Sequence, residues 1–285
     1  MRIAVVAFDT RGGVEPYVAL ATGLQRAGHE VRLVAPEDAE AMAGTVGLPF
    51  APLTGSVAAY LGRSTGATER GTLASQRLAV REMGLRIAGW TREALAAFEG
   101  AELVVGGIGG MVVGLAPAEK LGIPFVPAHL QPIGAPTGAY PGVLVATPGW
   151  FGGPGRRLGH RLTELALWMP FRGAMAAARR DLGLTGKGRP TDGRPVLYGF
   201  SRHVVPVPPG RPPRHVTGYW RLPPAAGWSP PAGLREFLAR PGSVVSIGFG
   251  SMVSEDPAAM RDLVQAAVHR AGVRAVLVAG WGALA

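Results

Sequence analysis

The stretch Phe8-Asp9-Thr10-Arg11-Gly12-Gly13-Val14-Glu15-Pro16 sets a carboxylate, a hydroxyl, a guanidinium and two adjacent glycines between an apolar run and a helical pattern. Glycines at such a junction let a ligand approach the backbone, and a helix N-terminus beside Arg11 favours an anion. A second junction, Ile247-Gly248-Phe249-Gly250-Ser251-Met252, follows an apolar strand pattern and precedes a helix. There Gly250 and Ser251 offer backbone N–H groups and a hydroxyl to a diphosphate. Neither junction carries G-x-G-x-x-G or G-x-x-x-x-G-K-[ST], and the missing fingerprint argues against a nicotinamide-dependent oxidoreductase. A hydrolase elbow around Ser246 fails because Val244 stands where G-x-S-x-G needs its first glycine. His160, His203, His215 and His269 lack ligand-like spacing and the chain has no cysteine, so no metal site is expected.

These junctions need strands and helices to hold them. Met1–Phe8 is rich in Val and Ile, as a buried parallel strand is. The pattern predicts a loop over 9–15, a helix opened by Pro16 and stopped at Gly28, and a strand over 31–35. Further helices are predicted over 73–98, 114–121 and 156–182, the last bent at Met169-Pro170, with short strands over 103–105, 125–127 and 196–200. A strand over 243–249, a helix over 257–271 and a strand over 274–279 complete the alternation. The fold class is therefore α/β: a Rossmann-like parallel-sheet N-terminal domain followed by a second, incomplete Rossmann-like domain. The expected boundaries are 1–220 for the first domain, 221–242 for a Pro-rich linker, and 243–285 for one strand–helix–strand unit. Residues 190–231 hold 11 of the 26 prolines, which suggests a stiff connector. A 43-residue unit of two strands and one helix is too small to stand alone, and truncation of a larger domain is the favoured explanation.

Composition narrows the class. With 285 residues, 47% hydrophobic and 17% charged, the chain has enough apolar material for one large core or two, and it is not disordered. No secretory leader or 20-residue apolar span is seen, so a soluble, cytoplasmic protein is expected. The net charge of +10 is uneven: residues 1–150 carry 11 basic against 12 acidic side chains, whereas 13 basic residues between Arg156 and Arg221 face only three acids. No nucleic-acid-binding pattern accompanies that run. A solvated basic face is the plainer explanation, and peripheral contact of residues 156–221 with an anionic membrane is the sharper one. Glu82 and Glu93, among Arg81, Arg86 and Arg92, suit a solvated helix face. Trp90, Trp150, Trp168 and Met169 suit either core packing or the wall of a lipophilic cleft.

Six segments then fall in one order: TRGGVEPYVALATGLQRAGHEV (10–31), AEKLGIPFVPAHLQP (118–132), PVLYGFS (195–201), HVTGYW (215–220), IGFGSM (247–252) and AGWGAL (279–284). Together they resemble bacterial UDP-glycosyltransferases related to sterol 3-beta-glucosyltransferases and to glycopeptide-antibiotic glycosyltransferases. The resemblance runs along essentially the whole chain. It implies the GT-B architecture, in which a first Rossmann-like domain holds the acceptor and a second holds most of the nucleotide-sugar. It also implies an inverting, metal-independent hexosyltransferase without a cofactor, using a UDP- or TDP-sugar such as UDP-glucose. The acceptor would be a lipophilic alcohol such as a sterol, lipid or polyketide-like aglycone. Thr10, Arg11 and Gly12 would approach the diphosphate, and Gly250 and Ser251 would bind it.

The chain departs from that pattern in two places. Relatives commonly read R-G-D in the first junction, with the aspartate as proposed base, whereas Gly13 stands here. The resemblance leaves Asp9 or His129 as the catalytic base; Asp9 also suits loop capping, and His129 a hydrogen-bonded pocket wall. The family's His/Gly-rich donor loop and Asp-Gln pair do not follow the strand ending near Trp281. A non-catalytic or partner-dependent acceptor-binding half is accordingly the alternative to a working transferase.

Overall fold

The computed structural model describes residues 1–57, 73–134, 136–185, 191, 193–207, 210, 213–224, 227–251 and 256–280, and of 73–83 the backbone alone. The chain divides into two compact units. One comprises Met1–Val57 and Thr72–Leu222, and the other takes in Pro223–Ala285.

In the first unit seven strands make one sheet: β1 (Arg2–Val6), β2 (Glu30–Pro36), β3 (Phe50–Leu53), β4 (Leu103–Gly106), β5 (Phe125–His129), β6 (Val196–Tyr198) and β7 (Arg214–Val216). Their order is β3-β2-β1-β4-β5-β6-β7 and each neighbouring pair is parallel. The order reverses between β1 and β4, and the crevice outside the carboxyl ends at such a point is where open α/β sheets bind ligands.

Strand alternation divides the core. Ile3, Val5 and Ala7 face a cluster with Val14, Tyr17, Val18 and Ala21 of α1 (Arg11–Arg26) and Ala43 of α2 (Glu40–Thr45). Ala4 and Val6 face the opposite cluster. It is built with Ile87, Trp90 and Ala94 of α3 (Leu73–Ala97), Val112 and Val113 of α4 (Ile108–Lys120), and Phe98 and Phe125. Helices α5 (Gly152–Trp168) and α6 (Arg172–Asp181) add Trp168, Ala174 and Met175 to that face. Each large apolar side chain so buried contributes about 1.5–3 kcal/mol. Arg179 pairs with Glu119 and ties α6 to α4.

Two helix starts lie earlier than the sequence pattern suggests. Helix α1 begins at Arg11 and not at Pro16, so 11–15 is helix and not loop. The ring of Pro16 forgoes the bond to the Gly12 carbonyl, but Gly12 is exposed and water can serve that oxygen. Helix α4 begins at Ile108 and not at 114, despite Gly109, Gly110 and Gly114. Tertiary packing overrides poor helix propensity here. A Cβ on Gly109 would lie 1.8 Å from the Phe8 carbonyl oxygen, and one on Gly110 2.3 Å from that of Val6. Only bare backbone lets this helix rest on the end of β1.

The second unit holds α7 (Ala232–Ala239), β8 (Val244–Gly248), α8 (Pro257–Ala271) and β9 (Arg274–Val278), with β8 and β9 parallel. Helix α7 lies inside the stretch 221–242 read as a linker, because Ala-Gly-Leu-Arg-Glu-Phe-Leu-Ala after Pro231 is a helix-forming sequence. Asp256 caps α8 by accepting from the Ala259 N–H at 2.9 Å, and Gly272 closes it at φ 61°. Val264 is the one buried hydrophobic residue of this unit among the described residues.

The glycine packing sets a contrast. Gly110→Ala is expected to lower stability by about 1–3 kcal/mol, because helix and strand must separate. Gly23→Ala, in α1 with no atom near its added Cβ, is expected to raise it by up to about 1 kcal/mol. Urea unfolding midpoints check both, and the reverse ranking would contradict this packing.

Candidate functional site

The first junction stands at the switch point, where β1 runs into α1. Thr10 is the N-cap residue without a side-chain cap bond. The Gly13 N–H donates to the Thr10 carbonyl at 2.9 Å, which leaves the Arg11 and Gly12 N–H groups without an intrahelical partner at the positive end of the helix dipole. Arg11 is largely exposed and its Nε donates to Glu15 Oε2 at 3.1 Å. Such a surface pair contributes little to stability and leaves the remaining guanidinium donors available.

Asp9 and Gly13 fit one another. Asp9 Oδ1 accepts from the Thr10 N–H at 2.6 Å, which confirms a local capping bond. The rest of the carboxylate lies over the Gly13 Cα. A Cβ on Gly13 would come within 2.2 Å of Asp9 Cγ and Oδ2 and 2.5 Å of its Cβ. The Asp9 carboxyl thus fills the volume a side chain at 13 would occupy. Beneath it, Tyr17 donates its O–H to the Ala128 carbonyl at 2.6 Å. Burial, with the Asp9 charge nearby, raises the Tyr17 pKa and keeps the phenol a neutral donor.

His129 ends β5, two strands from β1 in the sheet and so about 10 Å away across it. It is 4% exposed, and burial lowers its pKa to about 4, so the ring is neutral at pH 7. Its Nδ1 is buried and has no hydrogen-bond partner among the described residues. Left so, that atom costs about 1–3 kcal/mol, which a ligand bonded to it would relieve. His129 lines a cavity of about 300 Å³ with Ile108 and Met111 of α4, Pro127, Ile133, Gly134, Glu164, Leu167 and Trp168 of α5, Arg194 and Val196. The walls are mainly apolar with a few polar groups, as in small-molecule pockets.

Glu164 is a site residue that the sequence does not announce. Burial raises its pKa, and the bond its carboxylate accepts from the Gly134 N–H, with the Arg161 charge, partly opposes that shift. Gly134, at φ 75°, also abuts the histidine, for a Cβ there would stand 3.0 Å from His129 Nε2. One turn of backbone therefore separates an imidazole from a carboxyl. The helical spacing of α5 is the signal that was available, but it does not say which face is covered.

Other predicted residues separate. Gly250 and Ser251 follow β8 in the second unit, Gly250 in the left-handed region at φ 59°, which favours glycine. Met252 and residues 281–284 of the last motif lie outside the described residues, as do 58–72. Trp90 belongs to the core and donates to the Thr54 carbonyl, whereas Trp150 is 81% exposed. Glu93 is not simply solvated: it accepts from the Thr54 N–H at 2.8 Å and anchors that loop. In the basic run 156–221, Arg156 donates to the Gly138 and Ala139 carbonyls and Arg179 pairs with Glu119, so two of its charges act inside the fold. No group of three or more His, Asp or Glu suited to a metal occurs among the described residues.

A switch-point crevice carrying an anion-favouring helix end, beside an apolar cavity with buried polar groups, narrows the comparison. Residues 3–130 match the glycosyltransferase family 28 N-terminal domain. The matched segment contains Asp9, the α1 N-terminus and His129. The whole chain is similar to sterol 3-beta-glucosyltransferases of Emericella nidulans (31% identical over 297 residues, 99% of this chain and 21% of the relative). A relative of the same name from Aspergillus oryzae is 30% identical over 295 residues, again 99% of this chain and 21% of its own. The chain therefore spans about a fifth of the length of the curated relatives it matches. Among solved structures, the glycosyltransferase SnogD from Streptomyces nogalater aligns at TM-score 0.57 and 22% identity, over 100% of this chain and 68% of its own. SsfS6 of Streptomyces sp. SF2575, complexed with thymidine diphosphate, aligns at 0.54 and 21% over 98% and 68%. The fold is that of the GT-B glycosyltransferases.

Two outcomes follow from this geometry. Gly13→Asp alone is expected to destabilise the protein by about 1–3 kcal/mol, and Asp9→Gly/Gly13→Asp to recover most of the loss, because the two carboxylates compete for one volume; thermal unfolding of the set measures it. For His129, the folded pKa lies below the unfolded 6.5, so the unfolded chain binds more protons between them. Stability is then full above pH 6.5 and declines by roughly 3 kcal/mol as pH falls toward 4. His129→Gln is expected to flatten that decline in urea titrations.

Proposed function

We propose that the protein is an inverting, metal-independent glycosyltransferase. It moves a hexose, glucose from UDP-glucose, to a hydroxyl of a lipophilic acceptor such as a sterol, lipid or polyketide-like aglycone. The observation that carries this reading is the Asp9 carboxylate lying over Gly13 at the anion-favouring start of α1. There a proton acceptor and an anion-binding backbone stand together. Its support from relatives is their names: sterol 3-beta-glucosyltransferase for the curated proteins, and a spinosyn rhamnosyltransferase complexed with its aglycone among the folds (TM-score 0.53, 20% identity).

In this mechanism Asp9 takes the acceptor hydroxyl proton through Oδ2, since Oδ1 is engaged by Thr10. The acceptor oxygen forms a bond to the anomeric carbon from one side. The bond from that carbon to the diphosphate oxygen breaks on the other, its electron pair leaves with UDP, and the configuration inverts. Charge growing on the diphosphate is met by N–H groups of Arg11 and Gly12 and by the guanidinium, with the Thr10 hydroxyl beside them. The cavity receives the acceptor's apolar body. His129, neutral and with a free buried nitrogen, orients a polar atom of that body, while its low pKa makes it a poor base at pH 7.

A second reading rests on the thin core of the second unit, where Val264 alone is buried among the described residues. On that reading the protein is an acceptor-binding half without turnover of its own. Release of UDP from UDP-glucose in the presence of ergosterol tests the first reading. Wild type is expected to turn over, and Asp9→Asn to lose about 10²–10⁴-fold in kcat with little change in acceptor KM. Sterol-dependent thermal stabilisation with no UDP release by the wild type favours the second reading.

A further inference from the structure

Helix α5 presents a second face that the cavity does not use. Leu158, Leu162, Leu165 and Met169 are 52%, 40%, 50% and 61% exposed. At 100° per residue the three leucines and Met169, which caps the helix end, fall within about 60° of one another, one narrow stripe. Beyond its N-terminus Trp150 and Phe151 stack at 3.9 Å between ring centroids while 81% and 49% exposed. Val143 and Leu144 are likewise exposed beside it. A monomeric surface seldom keeps so many large apolar side chains together without a use.

The face is held in place. Thr163, buried on the inner side of α5, accepts from the N–H groups of Leu144 and Val145 at 3.3 and 3.1 Å. Arg156 donates to the carbonyls of Gly138 and Ala139 at 3.2 Å. Arg157, Arg161 and Arg172 are exposed around the stripe. Across 141–172 four arginines accompany one acid, Glu164, whose carboxyl bonds Gly134.

We infer that this face of α5, with Trp150 and Phe151, docks the protein onto a bilayer containing anionic phospholipid. The stripe and aromatic pair enter the headgroup boundary, and the arginines meet lipid phosphates. An apolar face with cationic flanks supplies the two signals that stable interfacial binding requires. A second copy is a poorer occupant, because a two-fold contact would bring this arginine-flanked patch against an identical one and place six cationic side chains at one seam. The surface is narrower than the basic run 156–221, since Arg156 and Arg179 are engaged internally. This inference stands apart from the catalytic proposal, although Glu164, Leu167 and Trp168 of the same helix line the cavity.

Vesicle co-sedimentation of the full chain tests it, with phosphatidylcholine vesicles containing or lacking phosphatidylglycerol. Binding is expected only with the anionic vesicles, and weaker as salt rises. Arg157→Gln/Arg161→Gln is expected to cost about fivefold per arginine. Leu162→Gln/Leu165→Gln is expected to cost roughly tenfold or more. Both pairs are exposed, so an unchanged thermal midpoint shows that folding is intact. Absence of wild-type binding, equal binding to neutral vesicles, or variants that bind like wild type would overturn the inference. So would a dimer, seen by sedimentation equilibrium, that Leu162→Gln/Leu165→Gln dissociates.

Discussion

The architecture of the first unit depends on the contact of bare glycine backbone in α4 with the end of β1. Where Gly109 and Gly110 meet the carbonyls of Phe8 and Val6, no Cβ has room. Gly107 is similarly tight, for a Cβ there would lie 1.8 Å from the Tyr17 hydroxyl oxygen. This closeness brings the α4 N-terminus to the same end of the sheet as that of α1, on the strand pair where the order reverses. It also leaves the Tyr17 hydroxyl a path to the Ala128 carbonyl, which couples α1 to β5 and to the strand that ends in His129.

The site inherits this closeness. Asp9 is exposed enough to meet a substrate, yet its carboxyl is positioned by the Thr10 N–H and by the empty volume above Gly13. The two residues act as a pair: a side chain at 13 would evict the one at 9. The Asp9 carboxyl stands in the space that a side chain at position 13 would occupy, and the role proposed for Asp9 uses that placement. His129 and Glu164 have different work. Both are partly or wholly withdrawn from water, both border Gly134, and their environment disfavours their charged forms. The neutral imidazole of His129 in an apolar wall orients a ligand with little desolvation cost.

Much of this was legible in the chain itself. The apolar runs at 1–8, 103–105 and 125–127 showed a parallel sheet, and Gly28 marked a helix end. The first junction was visible from its glycines, and Asp9 and Gly13 could be connected by their four-residue spacing. What hid the rest was tertiary. Helix α1 starts at Arg11 although Gly12, Gly13 and Pro16 resemble a loop, and α4 starts among glycines because β1 lies against it. Strands β3 and β7 have four and three residues, too few for a periodic signal. Glu164 sits among arginines on an amphipathic helix, and only its contact with Gly134, thirty residues away, turns it toward the cavity. Leucine spacing on α5 does not by itself distinguish a core face from an exposed stripe.

The central claim is that Asp9 supplies the carboxylate that Gly13 lacks, and turnover by an exchanged pair tests it most directly. UDP release in the presence of sterol is compared among wild type, Asp9→Gly, and Asp9→Gly/Gly13→Asp. The account predicts that Asp9→Gly loses turnover and that moving the carboxylate to position 13 restores most of it. Turnover by Asp9→Gly equal to that of the wild type would contradict it.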